Sequence, residues 1–357
     1  MSVKDADGHK LNLYPREVSR VLDGDIDHSL LQVEIGPTNS CNNRCIYCSL
    51  DWVTRDQTFI DTGALLSSLE DMADIGVRAV YFAGEGEPLL HKDFPQFVQK
   101  AVDLGIKTSL STNGLLLNER TAEAILPNLS WMRIGIDAST PETYAKIHGV
   151  APTNYEKVIK NIWGAARIKR ENGYAVDIGV QALALPNNLG EIEGLTKIVR
   201  DAGVDNIQIK PFASHPNASA EGLFVDPHNP QMEALQGVLQ QYNSEDFTVV
   251  YRAKTMDRLL TARPYQNCDG LNFWTLLDAH GNVIPCNIFY GKEEFSYGNI
   301  NESSFKDVWK GDKRREVMDK ISKLNKCETC GDYKCRPDLF NRHLHRIKNP
   351  EPNDDFI

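Results

Sequence analysis

No stretch of the chain approaches the ~18 consecutive apolar residues that a membrane span requires. The opening segment, MSVKDADGHK, is charged and holds no signal-peptide core, which points to a cytoplasmic protein. Basic residues are in deficit: 39 Lys and Arg face 49 Asp and Glu, for a net charge of −10. That balance excludes an extended basic surface for nonspecific nucleic-acid binding, while leaving room for one local basic patch. No GxGxxG follows a candidate strand, so a dinucleotide fold is not indicated. Cysteine is missing from residues 49–267, yet the chain has eight, at 41, 45 and 48 and at 268, 286, 327, 330 and 335. With 357 residues, 41% of them hydrophobic, the core needs no disulfide staples. Disulfide frameworks belong to small secreted chains. Two tight cysteine clusters in a chain of this length read as two metal sites.

A strand–turn–helix unit repeats between residues 30 and 212. The strand candidates are 31–36, 77–82, 106–110, 131–136, 175–182 and 206–210. Asp61 caps a helix with Leu65, Leu66, Leu69 and Met72 on one face, and Gly76 follows its end. Residues 93–104 place Phe94, Phe97, Val98, Ala101 and Val102 on one face. Thr140-Pro-Glu opens another helix. Six strands alternating with helices predict an α/β fold with parallel strands and right-handed crossovers. Residues 1–29 form an N-terminal segment. Residues 213–250, rich in Pro, Asn, Ser and Gly, read as a linker or substrate-side region. Residues 251–348 read as a second, smaller, metal-stapled domain, and 349–357 as a loosely ordered tail.

The first cysteine cluster, Cys41-Asn-Asn-Arg-Cys45-Ile-Tyr-Cys48, directly follows strand one. Three thiolates hold three irons of a [4Fe–4S] cluster and leave the fourth open to a ligand. A structural zinc site wants four ligands, and no nearby His supplies the last. This CxxxCxxC resembles the radical S-adenosylmethionine (radical SAM) superfamily, and the resemblance extends over residues 31–212. It implies a partial (β/α)6 TIM-type barrel, a [4Fe–4S] cluster on Cys41, Cys45 and Cys48, and S-adenosylmethionine chelated by the open iron. Reductive cleavage then gives a 5′-deoxyadenosyl radical that takes a hydrogen atom from substrate.

The resemblance also assigns cofactor contacts. Tyr47 occupies the family's adenine position. Gly84-Glu85-Gly86-Glu87-Pro88 looks like the family's GGEP segment, with Glu85 in place of its first Gly; Gly86 and Glu87 then serve the methionyl amino group. The chemistry suits them, since Gly permits close backbone approach and a carboxylate accepts from an ammonium. Ser111 and Asn113, in Ser111-Thr-Asn-Gly114, correspond to groups on the methionyl carboxylate and ribose. Asp137, in Asp137-Ala-Ser139, corresponds to the ribose side, and Gln181, at the end of strand five, is a further expected S-adenosylmethionine contact; Ser139 or Thr140 also reads as a helix cap. All fall at the carboxyl ends of strands, where barrels build active sites.

The second cluster runs Cys268-x12-Gly281-x4-Cys286, then Cys327-x2-Cys330-x4-Cys335. Four thiolates close either an iron–sulfur or a zinc site. The spacing resembles the SPASM and twitch extensions of radical SAM enzymes. Their full pattern has seven cysteines and two clusters; five suit one auxiliary [4Fe–4S] cluster. Cys268, Cys286, Cys327 and Cys330 are the expected ligands. Cys335 is left over, substitutes for one of them, or returns a hydrogen atom to a substrate radical. Asn287 follows Cys286 where some SPASM peptide maturases place an Asp base.

The sequence thus reads as a radical SAM enzyme with an auxiliary cluster, served by an electron donor such as flavodoxin or ferredoxin, without nucleic-acid or membrane partners. The first 30 residues are short for a peptide-recognition domain. The expected substrate is therefore a small molecule: a polyol, sugar, nucleoside or aminoglycoside, oxidised, epimerised, dehydrated or decarboxylated. A SPASM-type peptide or protein maturase is the alternative. A non-catalytic zinc-binding interaction protein is a third reading, opposed by the GEGEP and STN segments at one rim. Lys210 and Arg133 serve an anionic substrate or lie in salt bridges; His215 is near the rim, and His343 and His345 lie on a basic helix. Anaerobic reconstitution should load about eight iron and eight sulfide per chain; zinc alone would turn the reading to a binding protein.

Overall fold

The structure is a computed structural model and describes residues 9–325, 329–331, 333 and 335–350. Cys327 lies outside the described residues, as does most of the tail. All six expected strands form: β1 (Gln32–Ile35), β2 (Ala79–Phe82), β3 (Lys107–Thr112), β4 (Trp131–Gly135), β5 (Asp177–Ala184) and β6 (Asn206–Pro211). They pair in chain order and in parallel. Sequential parallel order with helical crossovers, one of which (β4 to β5) holds two helices, is the winding of a barrel. Along β1 and β2, Val33, Ile35, Val80 and Phe82 are fully buried, while Gln32, Glu34, Ala79 and Tyr81 are half-buried. The buried set packs under the helices, and the half-buried set lines the opposite, inner face.

Two further strands extend this set. β7 (Thr248–Tyr251) adds beyond β6, and β8 (Trp274–Leu277) adds beyond β1, both in parallel. β9 (Asn282–Ile284) and β10 (Gly298–Asn299) follow β8 antiparallel. β7 and β10 end the ten-strand sheet, so it is an open, partial barrel among the described residues. Residues 251–348, expected as a separate smaller domain, thus give three strands to the barrel's own sheet. Residues 213–250 also differ from a linker: they contain a helix, Pro230–Gln240, and most of β7. Asn229 caps that helix through Met232 N at 2.9 Å, and Pro230 opens it. This Asn-Pro start was legible, but it sat in a stretch whose composition reads as loop.

Local signals placed the helices well. Taking them in chain order, α1 is Pro15–Asp23, α2 Thr62–Asp74, α3 Phe94–Asp103, α4 Glu119–Ile125, α5 Pro141–His148, α6 Thr153–Asn172 and α7 Ile192–Ala202. The Asp61 carboxylate accepts from Ala64 N at 2.8 Å, and the Asn118 amide oxygen accepts from Thr121 N at 3.0 Å. Val102, expected on the buried face of α3, is 37% exposed, because Phe94, Phe97, Val98 and Ala101 already fill that face. The start of α5 has a partner no local motif reveals. The Glu191 carboxylate, just before α7, accepts from Ser139 N at 2.8 Å and Thr140 N at 3.0 Å, and from the Thr143 hydroxyl. Negative charge at a helix N-terminus is favourable.

Burial pushes the Glu191 pKa up, but the hydrogen bonds from Thr143, Ser139 and Thr140 outweigh it and hold the carboxyl below its usual range. A depressed carboxyl pKa stabilises the fold above the ordinary Glu range and loses that contribution as pH falls through the folded value. Glu191→Ala should therefore cost about 1–3 kcal/mol near neutral pH. The gap between wild type and variant in urea titrations should begin to narrow at the ordinary Glu value and shrink further as pH falls through the lower folded value; a gap unchanged in acid would contradict the assignment.

Candidate active site

The thiol loop leaves β1 and is pinned from two sides. On one side it hangs on the end of α5: Arg44 N donates to His148 O and Ile46 N to Ile147 O, both at 2.9 Å. On the other it lies against the β2 loop, where Glu87 N donates to Ser40 O at 2.8 Å. A Cβ on Gly86 would sit 2.3 Å from the carbonyl oxygens of Thr38 and Ser40, so only glycine permits this approach. Gly84, at φ +103°, passes so close to Gly36 that a Cβ there would lie 2.8 Å from its Cα.

Cys41, Cys45 and Cys48 are partly buried. Each of Cys41 and Cys45 senses the charge of its neighbours in the motif. Burial raises the Cys41 pKa, and burial with Asp137 pushes Cys45 up to about 12. The loop also carries positive charge: an Arg55 guanidinium nitrogen lies 3.5 Å from Cys48 Sγ, and Arg44 donates to Cys41 O at 2.6 Å. The buried Ser40 Oγ and Asn43 side-chain amide have no hydrogen-bond partner. Three thiols on one loop, adjacent guanidinium groups and unpartnered buried polar atoms fit an anionic thiolate-ligated cluster with a polar ligand beside it.

The expected cofactor contacts fall at this rim, each with protein partners of its own. Glu87 is 2% exposed and accepts from Thr112 Oγ1 and Asn113 N, both at 2.7 Å. It therefore fixes the loop after β3. Asn113 Nδ2 donates to Asn42 Oδ1 at 2.6 Å, tying that loop to the thiol loop. Ser111 Oγ and Tyr81 OH are 2.6 Å apart. Asp137 is buried, pushed up to about 6 by that burial, and accepts from Leu183 N at 2.5 Å. Gln181 Oε1 accepts from Lys210 Nζ at 3.0 Å. Tyr47 is half-buried and meets His148 edge to face at 5.9 Å.

Sequence reasoning missed His148. Its Nδ1 is 3.4 Å from Cys45 Sγ and its Nε2 is 3.3 Å from Asp137 Oδ2. Burial lowers its pKa to about 3. It is the last residue of α5, about a hundred positions from the cysteines, so no local pattern marks it. His215 is 1% exposed, stacked on Trp52 at 5.6 Å and edge-on to Tyr333 at 4.9 Å. Burial lowers its pKa to about 4, so it packs as a neutral ring.

The second group converges too. Cys268, Cys286, Cys330 and Cys335 line one apolar cavity with Leu271, Ile288, Phe289 and Leu324. Burial raises Cys286 well above its ordinary value, and Cys335, Cys268 and Cys330 add to the rise. Of the readings of Cys335 from sequence (left over, a substitute for one ligand, or a hydrogen donor), its place beside the other three supports the substitute. Cys335 stands at the N-cap of the helix Arg336–Lys348. From the same helix, Asn341 Nδ2 lies 3.2 Å from Cys268 Sγ. Four thiols in an apolar cavity fit a closed metal or cluster site.

Residues 35–180 match the Radical SAM superfamily, and residues 268–332 match SPASM, an iron–sulfur cluster-binding domain. The chain is a radical SAM enzyme with a SPASM region, and it uses S-adenosylmethionine and [4Fe–4S] clusters. It is 28% identical over 260 residues to a probable GTP 3′,8-cyclase of Methanosarcina acetivorans, covering 68% of this chain and 71% of that one. It is 23% identical over 309 residues to the PqqA peptide cyclase of Rhizobium meliloti, covering 83% and 77%. SuiB of Streptococcus suis bound to its precursor peptide SuiA shares the fold at TM-score 0.66 and 18% identity, covering 98% of this chain and 80% of that one. Native anSMEcpe with bound AdoMet does so at 0.59 and 17%, covering 89% and 96%. No helix among the described residues is long and apolar enough to cross a membrane.

Cys335→Ala should lose about half of the iron while keeping the first cluster's charge-transfer absorbance. Full iron content in that variant would return Cys335 to a spare thiol.

Proposed function

We propose that this radical SAM enzyme is a SPASM-type peptide or protein maturase. The reading from sequence put a small polyol or sugar first and a peptide second; the comparisons support the opposite order. Peptide cyclases of the PqqA type from three organisms align over about three quarters or more of the chain. The observation that carries the proposal is a cavity of about 680 Å³ beside the thiol loop. Trp52 and Thr54 wall it from the continuation of that loop, Glu85 from the β2 rim, and His280, Tyr290 and Lys292 from the SPASM region. A cleft of this volume, walled by both regions and mixed in polarity, has room for a ligand of a few residues' bulk beside the thiol loop.

The division of labour follows from the contacts. Cys41, Cys45 and Cys48 would hold the first cluster, and Arg55 offsets its negative charge. Bound there with S-adenosylmethionine, that cluster supplies hydrogen-atom abstraction from an unactivated carbon. Glu87 holds Asn113 and Thr112 in register with the thiol loop, acting as a positioning residue. Cys268, Cys286, Cys330 and Cys335 would hold the auxiliary cluster. Glu85 couples the two regions. Its carboxyl accepts from Ala279 N at 2.7 Å, and burial with Asp278 pushes its pKa to about 8.

A phosphorylated small molecule is the second reading, favoured by the alignment with the probable GTP 3′,8-cyclase. The test is 5′-deoxyadenosine output from reduced, reconstituted enzyme. A panel of precursor peptides should include one that raises output severalfold over the unstimulated rate. Stimulation by GTP or a sugar, with every peptide silent, would sink the maturase reading.

A further inference from the structure

The inner face of the barrel carries more positive charge than its structure needs. Four cations meet there from four elements: Arg133 on β4, Lys210 at the end of β6, Arg252 just after β7, and Arg336 at the start of the last helix. Each guanidinium is anchored. Arg133 pairs with Asp177 at 2.6 Å and lies 5.1 Å over the Trp131 ring. Arg252 donates to Gln208 Oε1 at 3.0 Å. Arg336 sits 4.7 Å over the Tyr81 ring and 3.9 Å from Glu34.

Lys210 is different. It makes no ion pair among the described residues, and its hydrogen bond goes to the neutral Gln181 amide at 3.0 Å. Glu34 and Asp137 are near enough to be felt but form no contact with it. Burial and repulsion from Arg252, Arg336 and Arg133 pull its pKa down to about 7. Holding an ammonium among three guanidinium groups is unfavourable unless an anion joins them. The group of cations is not sealed from solvent: the side chains of Arg133, Glu34 and Arg336 keep 12%, 18% and 34% of their exposure. It also lies next to the rim, since Gln181 and Ser111 border it and Ser111 leads directly into the Thr112–Asn113 loop.

We propose that Lys210, flanked by Arg133, Arg252 and Arg336, forms an oxyanion subsite in the barrel lumen that holds a carboxylate or phosphate of the substrate. The proposal rests on the reading that the substrate enters the barrel from the rim, and it names the chemical handle the substrate carries. A carboxylate would come from an acidic residue of a peptide, a phosphate from a nucleotide. The three guanidinium groups and the ammonium suit either, through charge-assisted hydrogen bonds.

Calorimetric titration of the reconstituted holoenzyme with glutarate and with inorganic phosphate tests it. At least one probe should bind and raise the melting temperature. Lys210→Met should weaken that binding about tenfold or more, and Lys210→Arg should restore most of it. In anion-free buffer Lys210→Met should melt no lower than wild type, because it relieves repulsion; a lysine with a purely structural role would give the opposite. Failure of both probes to bind, or equal binding by wild type and Lys210→Met, overturns the subsite. Lys210-dependent binding of glutarate with weak phosphate binding supports a peptide carboxylate. A preference for phosphate supports the subsite and overturns the maturase reading, so the two ideas fail separately.

Discussion

The approach of the β2 loop to residues 38–40 is the contact on which the site depends. With no side chain on Gly86, the two backbones close until Glu87 N reaches Ser40 O at 2.8 Å. Cys41 is the next residue, so this contact sets where the thiol loop leaves the sheet. The end of α5 sets where it returns, through the carbonyls of Ile147 and His148. The loop is thus shaped by backbone hydrogen bonds on both sides, whatever its thiols bind. Burial raises the Cys41 pKa and pushes Cys45 up to about 12, so metal binding at these two must displace their protons. A scaffold that holds the thiol loop in place has already met part of the ordering cost before the cluster arrives.

Glu87 shows how one residue can hold a loop and still face a ligand site. Its position in a βα turn at the rim was legible from Gly84-Glu-Gly-Glu-Pro88. Its carboxylate is expected to face the cofactor's ammonium. In the structure its oxygens accept from Thr112 Oγ1, Asn113 N and Leu89 N. A buried carboxylate without such donors would be costly. The motif's acid thus organises the neighbouring loop, and the remaining acceptor sites of a carboxylate are compatible with an ammonium beside it.

What the sequence made legible was local. Six strands, the Asp61 and Thr140 caps and both cysteine clusters depend on residues a few positions apart. What it hid was long-range. His148 meets Cys45 across more than a hundred residues, Glu191 caps α5 from the start of α7, and β8 joins β1 after the whole barrel has been built. Cys335 falls between these cases. Its spacing is local, but its place beside Cys268 and Cys286 comes from the helix it begins. The length of the N-terminal segment bears only on a separate peptide-recognition domain, whereas the cavity beside the thiol loop is built from Glu85 and from residues within 52–56 and 278–296, brought together only by the fold.

The charges inside the barrel bring these levels together. Strand periodicity alone places Arg133 and Lys210 on the inner face, and it cannot tell whether they meet partners. Assembly supplies Arg252 from beyond β7 and Arg336 from the SPASM side, and both carry positive charge. A fold under selection for stability alone would neutralise Lys210 or replace it, since a buried unpaired ammonium beside guanidinium groups weakens the native state. Strain of that kind persists where function needs it. The second region therefore contributes more than thiols for a cluster: through Arg336 it completes the electrostatics of the chamber that the barrel opens toward its rim.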